Sequence, residues 1–420
     1  MDFLKSIALP QSADHIELLH YLLIILLFIF IIFISMIFSG TWLSLHFKKK
    51  ERIELDNNYK KIAKDLIELV TVNKNVGLIF GLMPLLTVII IFSQLLQASD
   101  SSGIVYLIVS FILLTISLNY IYDFMHSFKY LVDVDLNAGK IGLTFLFFAL
   151  WFFVTGMTSA VFYSDWQSSG LIGDLFSWRV LIRLIYFTIV SFTITGGALL
   201  FGIFYLDDGK RNDDEEYGKF VRSTSIRITF ISAILIPFFM LINLFLMPEN
   251  SLSGAVFSFI VIGLVSLFLG YNFLYMIFAR FQSKYTALLF FTLLFMVLSV
   301  IISDQSVMSN STKVQSATLA NQYDEMLKEL KGLGGPAELN GEEIYNIRCV
   351  SCHRFDVKLV GPPHNKVVPK YFGKEAELIA FIRNPVKVDP AYPPMPNPGL
   401  KPAEAKAVAE YLLKTVESEK

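Results

Sequence analysis

Both cysteines of this 420-residue chain lie in the segment 349–353, which reads CVSCH. Two cysteines three positions apart, followed at once by a histidine, are typical of covalent haem attachment. On one helical turn this spacing lets both thiols form thioethers to the two vinyl groups of a porphyrin, and His353 then lies under the iron as its proximal ligand. A structural disulfide and half of a zinc site are the alternatives, but a zinc site needs further Cys or His ligands, and only His364 lies nearby. The segment therefore predicts one covalent haem c on Cys349, Cys352 and His353.

The rest of the chain has the composition of a membrane protein. Charged residues make up 17% of the chain and hydrophobic residues 54%, with 39 phenylalanines, whereas a soluble domain carries charge on about a quarter of its residues. The hydrophobic residues come in runs long enough to cross a bilayer, so lipid is an expected partner. The net charge is −1 and no surface typical of nucleic-acid binding is evident, so we expect no nucleic-acid partner.

We predict an all-α fold in which residues 1–303 form a transmembrane bundle of eight helices. Lysine and arginine crowd the loops after spans 1, 3, 5 and 7, whereas the alternate connections contain none. Basic loops stay on the cytoplasmic side, so both termini are expected on the periplasmic side of a bacterial inner membrane. This agrees with the haem motif, because haem c is attached only on that side. The predicted spans are 18–43, 76–97, 103–127, 141–163, 178–206, 226–247, 252–278 and 286–303.

Two further segments follow the last predicted span. Residues 304–336 are polar and are predicted to form a periplasmic tether with a helical part at 319–330, ended by Gly332, Gly334, Gly335 and Pro336. Residues 337–420 are predicted to form a separate small all-α domain that contains the haem motif.

The last 80 or so residues resemble the class I monohaem cytochromes c. That family has a glycine eight residues and an aromatic residue four residues before the first cysteine, and Gly341 and Tyr345 occupy these positions. A final helix is expected at 403–414, where Val408 and Leu412 share a face that suits packing on Gly341. The resemblance implies a small helical fold around one haem that transfers single electrons.

The same resemblance implies further roles around the iron. Pro362, or its neighbour, corresponds to the proline whose carbonyl accepts the second N–H of the proximal histidine. Met395 lies in a proline-rich loop and is the expected distal ligand, with His364 as the alternative. A methionine in place of a second histidine raises the reduction potential of the haem, so we expect a relatively oxidising electron carrier.

The membrane domain contains four histidines, and none of them falls at the middle of a span. His15 and His20 lie at the outer edge of span 1, and His46 and His126 lie at the inner edges of spans 1 and 3. A b-type haem in a helical bundle needs two axial ligands, so His20 with a methionine, or His46 with His126, are the candidates for such a haem.

Polar residues in spans 3 and 5 are further candidates for a membrane site. Asp123 and His126 share one helical face with Thr115 and Asn119, and such residues normally face the bundle interior. Hydrogen bonding between helices and a proton path or quinone site both remain open there. Arg179 and Arg183, one turn apart on span 5, are open to two interpretations: contact with lipid phosphate, or pairing with a haem propionate or a partner subunit.

The first two spans also resemble the large subunit of cytochrome bd-type quinol oxidases. The resemblance is carried by His20, the basic loop after span 1, and the glycines Gly77 and Gly81 of span 2. It implies b-type haems or a quinone in the membrane domain, although the Gly-Arg-Gln-Pro-Trp motif is absent from this sequence.

Together these patterns predict a membrane-bound monohaem cytochrome c without catalytic residues. It would transfer single electrons between a membrane respiratory complex or quinol system and a periplasmic protein. Eight spans exceed what an anchor needs, so we expect membrane partner subunits in a larger respiratory complex. A bd-like quinol oxidoreductase subunit is the main alternative, and a non-redox membrane function with a haem sensor is a third.

Overall fold

The computed structural model describes residues 10–71, 73–96, 103–130, 133–162, 170–206, 215–331 and 340–418. Within these ranges the regular structure is helical, and no strand is present. The chain divides into two compact units, Met1–Tyr323 and Asp324–Lys420. The predicted all-α fold class is therefore confirmed.

Eight helices of the first unit are long and apolar enough to span a bilayer, as predicted. A shorter amphipathic helix, α2 (Asn57–Val70), follows the first of them and buries Ile62, Leu66 and Ile67 against the bundle. The eight spanning helices are α1 (Ala13–Glu54), α3 (Lys74–Leu95), α4 (Gly103–Tyr130), α5 (Leu136–Val161), α6 (Trp178–Leu206), α7 (Glu216–Phe245), α8 (Gly254–Ala279) and α9 (Ser283–Ser311).

Small and hydroxyl-bearing residues let these helices approach closely. The Ser117 hydroxyl on α4 donates to the Gly142 carbonyl on α5 at 2.7 Å, and a Cβ added at Gly142 would lie 2.7 Å from the Ile121 side chain. The Ser39 hydroxyl on α1 donates to the carbonyl of Ser191 on α6 at 2.9 Å. In lipid, where no hydrophobic effect drives helices together, such close packing and interhelical hydrogen bonds hold a bundle.

Helix α9 continues beyond the predicted end of span 8 at residue 303. It runs to Ser311, and α10 (Lys313–Leu330) follows after Thr312. The apolar run ends near residue 303, but Ser303, Gln305 and Met308 remain buried in the bundle, so packing extends the helix past the hydropathy signal. The predicted tether residues Gly332, Gly334, Gly335 and Pro336 lie outside the described residues, and the three-part division of the chain stays a prediction.

The second unit is a small helical domain with its own apolar core. Its helices are α11 (Gly341–Arg348), α12 (Glu375–Arg383) and α13 (Pro402–Ser418), with short helical turns at His364–Val367 and Val368–Tyr371. Helices α11 and α13 cross so closely that a Cβ at Gly341 would lie 2.0 Å from the Ala407 carbonyl oxygen. Glycine at position 341 therefore sets how the first and last helices of this unit pack.

Candidate cofactor site

Helix α11 positions the two cysteines. The Asn340 side chain caps its first turn by accepting from the Glu342 N–H at 3.1 Å. At its end, the N–H groups of Cys349 and Val350 both donate to the Tyr345 carbonyl, at 2.8 and 3.0 Å. The N–H groups of Cys352 and His353 then donate to the Cys349 carbonyl, at 3.1 and 3.0 Å. These bonds wind segment 349–353 into a tight turn in which the two cysteines form no disulfide.

The His353 ring is held by the segment that follows the motif. Its Nδ1 lies 3.2 Å from the Pro362 carbonyl oxygen, which is the contact implied by the resemblance. The Gly361 N–H donates to the Cys352 carbonyl at 2.9 Å. A Cβ at Gly361 would lie 2.2 Å from Cε1 of His353, so only glycine permits this approach. A carbonyl on Nδ1 fixes the ring orientation and leaves Nε2 as the ligating nitrogen.

A hydroxyl and a second imidazole complete the surroundings of His353. The Tyr345 hydroxyl donates to the His353 carbonyl at 3.1 Å, and burial, with smaller effects of Cys349 and Tyr411, raises the pKa of this phenol to about 12. The His364 ring stacks on the His353 ring, with centroids 4.8 Å apart and planes 17° from parallel. His364 is therefore a buried residue that packs against His353.

Two titratable groups beside His353 are shifted toward their neutral forms. Burial, reinforced by His353, lowers the pKa of His364 to about 3. Burial, followed by the neighbouring Cys352, raises the pKa of the Cys349 thiol. A neutral, apolar environment of this kind can hold a porphyrin ring, whereas it would disfavour a charged ligand.

These side chains line a cleft of about 390 Å³. Cys349 and His353 line the cleft together with Met395, although Met395 lies more than 40 positions after them in the sequence. Pro362 and His364 line the same cleft, whereas Cys352 lies in the adjoining turn. Its apolar walls come from α12, α13 and the short helical turn before α12, through Val368, Leu378, Ile382, Val408 and Leu412. Thiols, an oriented imidazole and a thioether around an apolar cleft are a donor set that fits a haem.

The family model for Cytochrome c matches residues 339–415. Cytochrome c-551 of Pseudomonas denitrificans is 38% identical over 78 residues, which are 94% of that protein and 17% of this chain. Cytochrome c-551 of Azotobacter vinelandii is 39% identical over 77 residues, also 94% of its length and 17% of this chain. The C-terminal part of the chain belongs to the cytochrome c family. No solved structure matches the chain.

Family membership supports a haem c in the cytochrome c domain. It does not test the role of each residue, so Cys349, Cys352, His353, Met395 and Pro362 remain predicted haem contacts. These matches cover only the C-terminal domain. They leave the resemblance of the first two spans to bd-type oxidases unsupported.

The predicted membrane residues do not converge on one site. Asp123 and His126 are exposed on α4, as is Asn119, so the expectation that this face turns to the bundle interior is wrong. The interior face of α4 is the neighbouring one, where Ser117 and Phe124 pack against the glycines of α5. His46 is exposed near the C-terminal end of α1. Within the described residues no group of three or more His, Cys, Asp or Glu could hold a metal ion.

The two arginines of α6 have partners within the chain. The Arg179 guanidinium lies over the Phe162 ring, 4.0 Å from its centroid. Arg183 forms an ion pair with Asp304 of α9, with 3.7 Å between the guanidinium nitrogen and the carboxylate oxygen. Sequence reasoning missed Asp304 because it placed this residue in the tether. The signal was available: an acidic residue directly after an apolar run, facing an arginine near the same membrane surface.

Proposed function

We propose that this protein is a membrane-anchored monohaem cytochrome c that passes single electrons between a membrane donor and a periplasmic acceptor. The single observation that carries the proposal is the cleft in which Cys349, His353 and Met395 meet, inside a domain of the cytochrome c family. The eight apolar helices support a multi-pass membrane anchor.

The residues of the cleft have distinct roles in this proposal. Cys349 and Cys352 bond the haem covalently, His353 and Met395 ligate its iron, and the Pro362 carbonyl orients His353 through the contact at 3.2 Å. The haem supplies a one-electron couple between ferrous and ferric iron. The apolar walls would limit the access of water to the haem, which favours a high reduction potential.

The surroundings of this domain are also part of the proposal. The basic loops of the sequence favour periplasmic termini in a bacterial inner membrane. The donor would be a membrane respiratory complex or a quinol, and the acceptor a periplasmic electron-transfer protein. A helical bundle larger than an anchor requires favours membrane partner subunits.

The alternative, a bd-like quinol oxidase subunit with b-type haems, has less support. His46 and His126 are both exposed, and among the described residues neither a methionine nor a second histidine lines the cavity beside His20. A redox titration of the purified full chain, combined with oxygen-uptake measurements, separates the two functions. We expect one n = 1 wave from haem c and no oxygen consumption. Additional b-type bands with quinol-dependent oxygen uptake would contradict the electron-carrier proposal.

A further inference from the structure

The membrane domain encloses a cavity that none of the functions above uses. It has a volume of about 140 Å³ and lies among helices α1, α5, α6, α7, α8 and α9. Arg183 is the sixth residue of α6 and Asp304 lies seven residues before the end of α9. At about 1.5 Å per residue, both are roughly 10 Å from the ends of their helices, on the side where α9 leads out of the membrane. Five of the 12 methionines line the cavity: Met157, Met240, Met247, Met296 and Met308.

One wall of this apolar cavity is polar. Arg183 and Asp304 form their ion pair there, and Arg183 also lies 3.3 Å from the sulfur of Met247. The Asp304 side chain is 49% accessible, although it lies within the bundle, because it faces open space. An ion pair at this depth is costly in lipid and usually marks a functional site.

Two further polar groups on the cavity wall lack partners. The Tyr186 hydroxyl and the Gln305 Oε1 are buried and have no hydrogen-bond partner among the described residues. Gln305 is only 3% exposed. Leaving a buried polar group unpaired is destabilising, so a ligand that pairs with these groups would gain affinity from each contact.

The size and chemistry of the cavity restrict its ligand. A cavity of about 150 Å³ holds one benzene-sized ring, so a macrocycle of four pyrrole rings does not fit in this one. A hydrocarbon chain would leave Tyr186 and Gln305 unpaired. A ring with two oxygen atoms would satisfy them: Arg183 and the Tyr186 hydroxyl would donate to a ring oxygen, and Gln305 Oε1 and Asp304 would accept from a hydroxyl of the reduced ring. Methionine side chains adapt their shape to a flat ring.

We propose that this cavity binds the head group of a quinone or quinol. The choice of a quinone among ring compounds rests on the proposed electron-transfer function; the geometry itself requires only an apolar ring with two oxygens.

A second cavity gives the polar wall access to the outer end of the bundle. It has a volume of about 420 Å³ and shares Gln305 with the first. Glu17, His20 and Lys313 line it together with several serines, and the Nδ1 of His20 has no partner there among the described residues. Gln305 therefore lies between the ring-sized cavity and a polar space that admits water.

The test is a binding titration on the purified full chain in detergent, with decylubiquinone and its reduced form, decylubiquinol, as the probes. Decylbenzene, which carries the same tail on a six-membered carbon ring without oxygens, is the control ligand. We expect one saturable decylubiquinone site per chain and at least tenfold weaker binding of decylbenzene. Absence of a saturable site, or equal binding of the two compounds, would overturn the proposal.

Variants locate the site. The double variant Arg183→Met with Asp304→Asn removes the ion pair without leaving one charge buried, Gln305→Leu removes the unpaired amide oxygen, and Val300→Trp fills the space. The ion-pair variant and Val300→Trp are expected to weaken decylubiquinone binding about tenfold or more, which corresponds to about 1.4 kcal/mol. Gln305→Leu is expected to weaken binding of the reduced form, decylubiquinol, to the same extent. The exposed pair Lys50 and Glu54, 3.6 Å apart, gives the control, Lys50→Met with Glu54→Gln, which is expected to bind as the unaltered chain does.

Covalent haem content and a single gel-filtration peak show that each variant is folded. If the ion-pair variant fails this check, Gln305→Leu and Val300→Trp decide the outcome. Unchanged binding in the folded cavity variants, or an equal loss in the control variant, would contradict the assigned site. A chain that contains haem c but binds no quinone would refute this inference alone, whereas a chain without haem c would refute the proposed function.

Discussion

His353 is fixed by its neighbours in the chain rather than by distant parts of the fold. Pro362 holds its Nδ1, Tyr345 holds its carbonyl, and Gly361 leaves room for the ring. All of these residues lie within about ten positions of the motif, which is why the sequence alone could predict the proximal side. Asp304 could not be predicted in the same way, since its partner Arg183 lies more than 100 residues earlier.

The distal ligand gives the first prediction. Replacing Met395 with His should leave the haem covalently bound but lower its reduction potential by on the order of 0.1 V or more, because imidazole favours ferric iron more than a thioether does. Met326→Leu, which changes a methionine of α10 outside the cleft, should leave the potential unchanged. An equal potential in the unaltered chain and in Met395→His would contradict the assignment of Met395.

The two thiols give the second prediction. Cys349→Ser or Cys352→Ser should leave one thioether, seen as a shifted pyridine haemochrome band with haem still on the denatured chain. The double substitution should remove all covalent haem, because no other cysteine exists in the sequence. Covalent haem that survives the double substitution would show that the attachment lies elsewhere.

The orientation of His353 gives the third prediction. Replacing Gly361 with Ala puts a methyl group where the His353 ring lies, so the ring must move away from the Pro362 carbonyl. We expect a heterogeneous or weakened iron–histidine bond, measured by resonance Raman or electron paramagnetic resonance. Gly254→Ala, with no atom within 4 Å of the added Cβ, serves as the control substitution, and a Gly361→Ala spectrum identical to that of the control would contradict this steric role.

At the scale of elements, hydropathy could predict which helices exist but not where they end. Span 8 was expected to end at residue 303, where the apolar run stops, yet α9 continues to Ser311. Span 1 was expected at 18–43, yet α1 continues to Glu54, where Leu55 ends it in the left-handed conformation. Charged and polar residues can continue a helix beyond the lipid. The apolar composition therefore predicts which part of a helix lies in the membrane, but not where the helix ends.

Helical periodicity was also insufficient to orient α4. Asn119, Asp123 and His126 share a face, as their spacing requires, but that face is exposed. Which face of a spanning helix turns inward depends on where its neighbours allow close approach, and here Gly139 and Gly142 of α5 determine it. The orientation of α4 therefore depends on residues of another helix, which the periodicity of α4 itself does not reveal.

The crossing of α11 and α13 gives the fourth prediction. Gly341→Ala would place a Cβ 2.0 Å from the Ala407 backbone oxygen, and overpacking of this kind costs about 1–3 kcal/mol. We expect the spectral change that accompanies loss of the Met395–iron bond to occur at lower guanidinium concentration in Gly341→Ala than in the unaltered chain. Gly254→Ala is again the control, and an unchanged unfolding midpoint in Gly341→Ala would show that the two helices pack less closely than described.

At the scale of the whole molecule, the membrane bundle and the cytochrome c domain are two units whose joint function depends on membrane topology. The basic loops predict that the connection after α1 lies in the cytoplasm and that both termini lie outside. Alkaline phosphatase, which is active only outside, should therefore be active when fused after residue 420 and inactive when fused after Leu55. The reverse pattern of activities would contradict the predicted topology.

The central claim is that each chain carries one haem c bonded through Cys349 and Cys352. The most direct measurement is a pyridine haemochrome assay of the purified full chain, with haem staining of the same protein on a denaturing gel. We predict one haem c per chain and a stained band at the mass of the chain. A chain without covalent haem, or a spectrum of haem b alone, would contradict the claim.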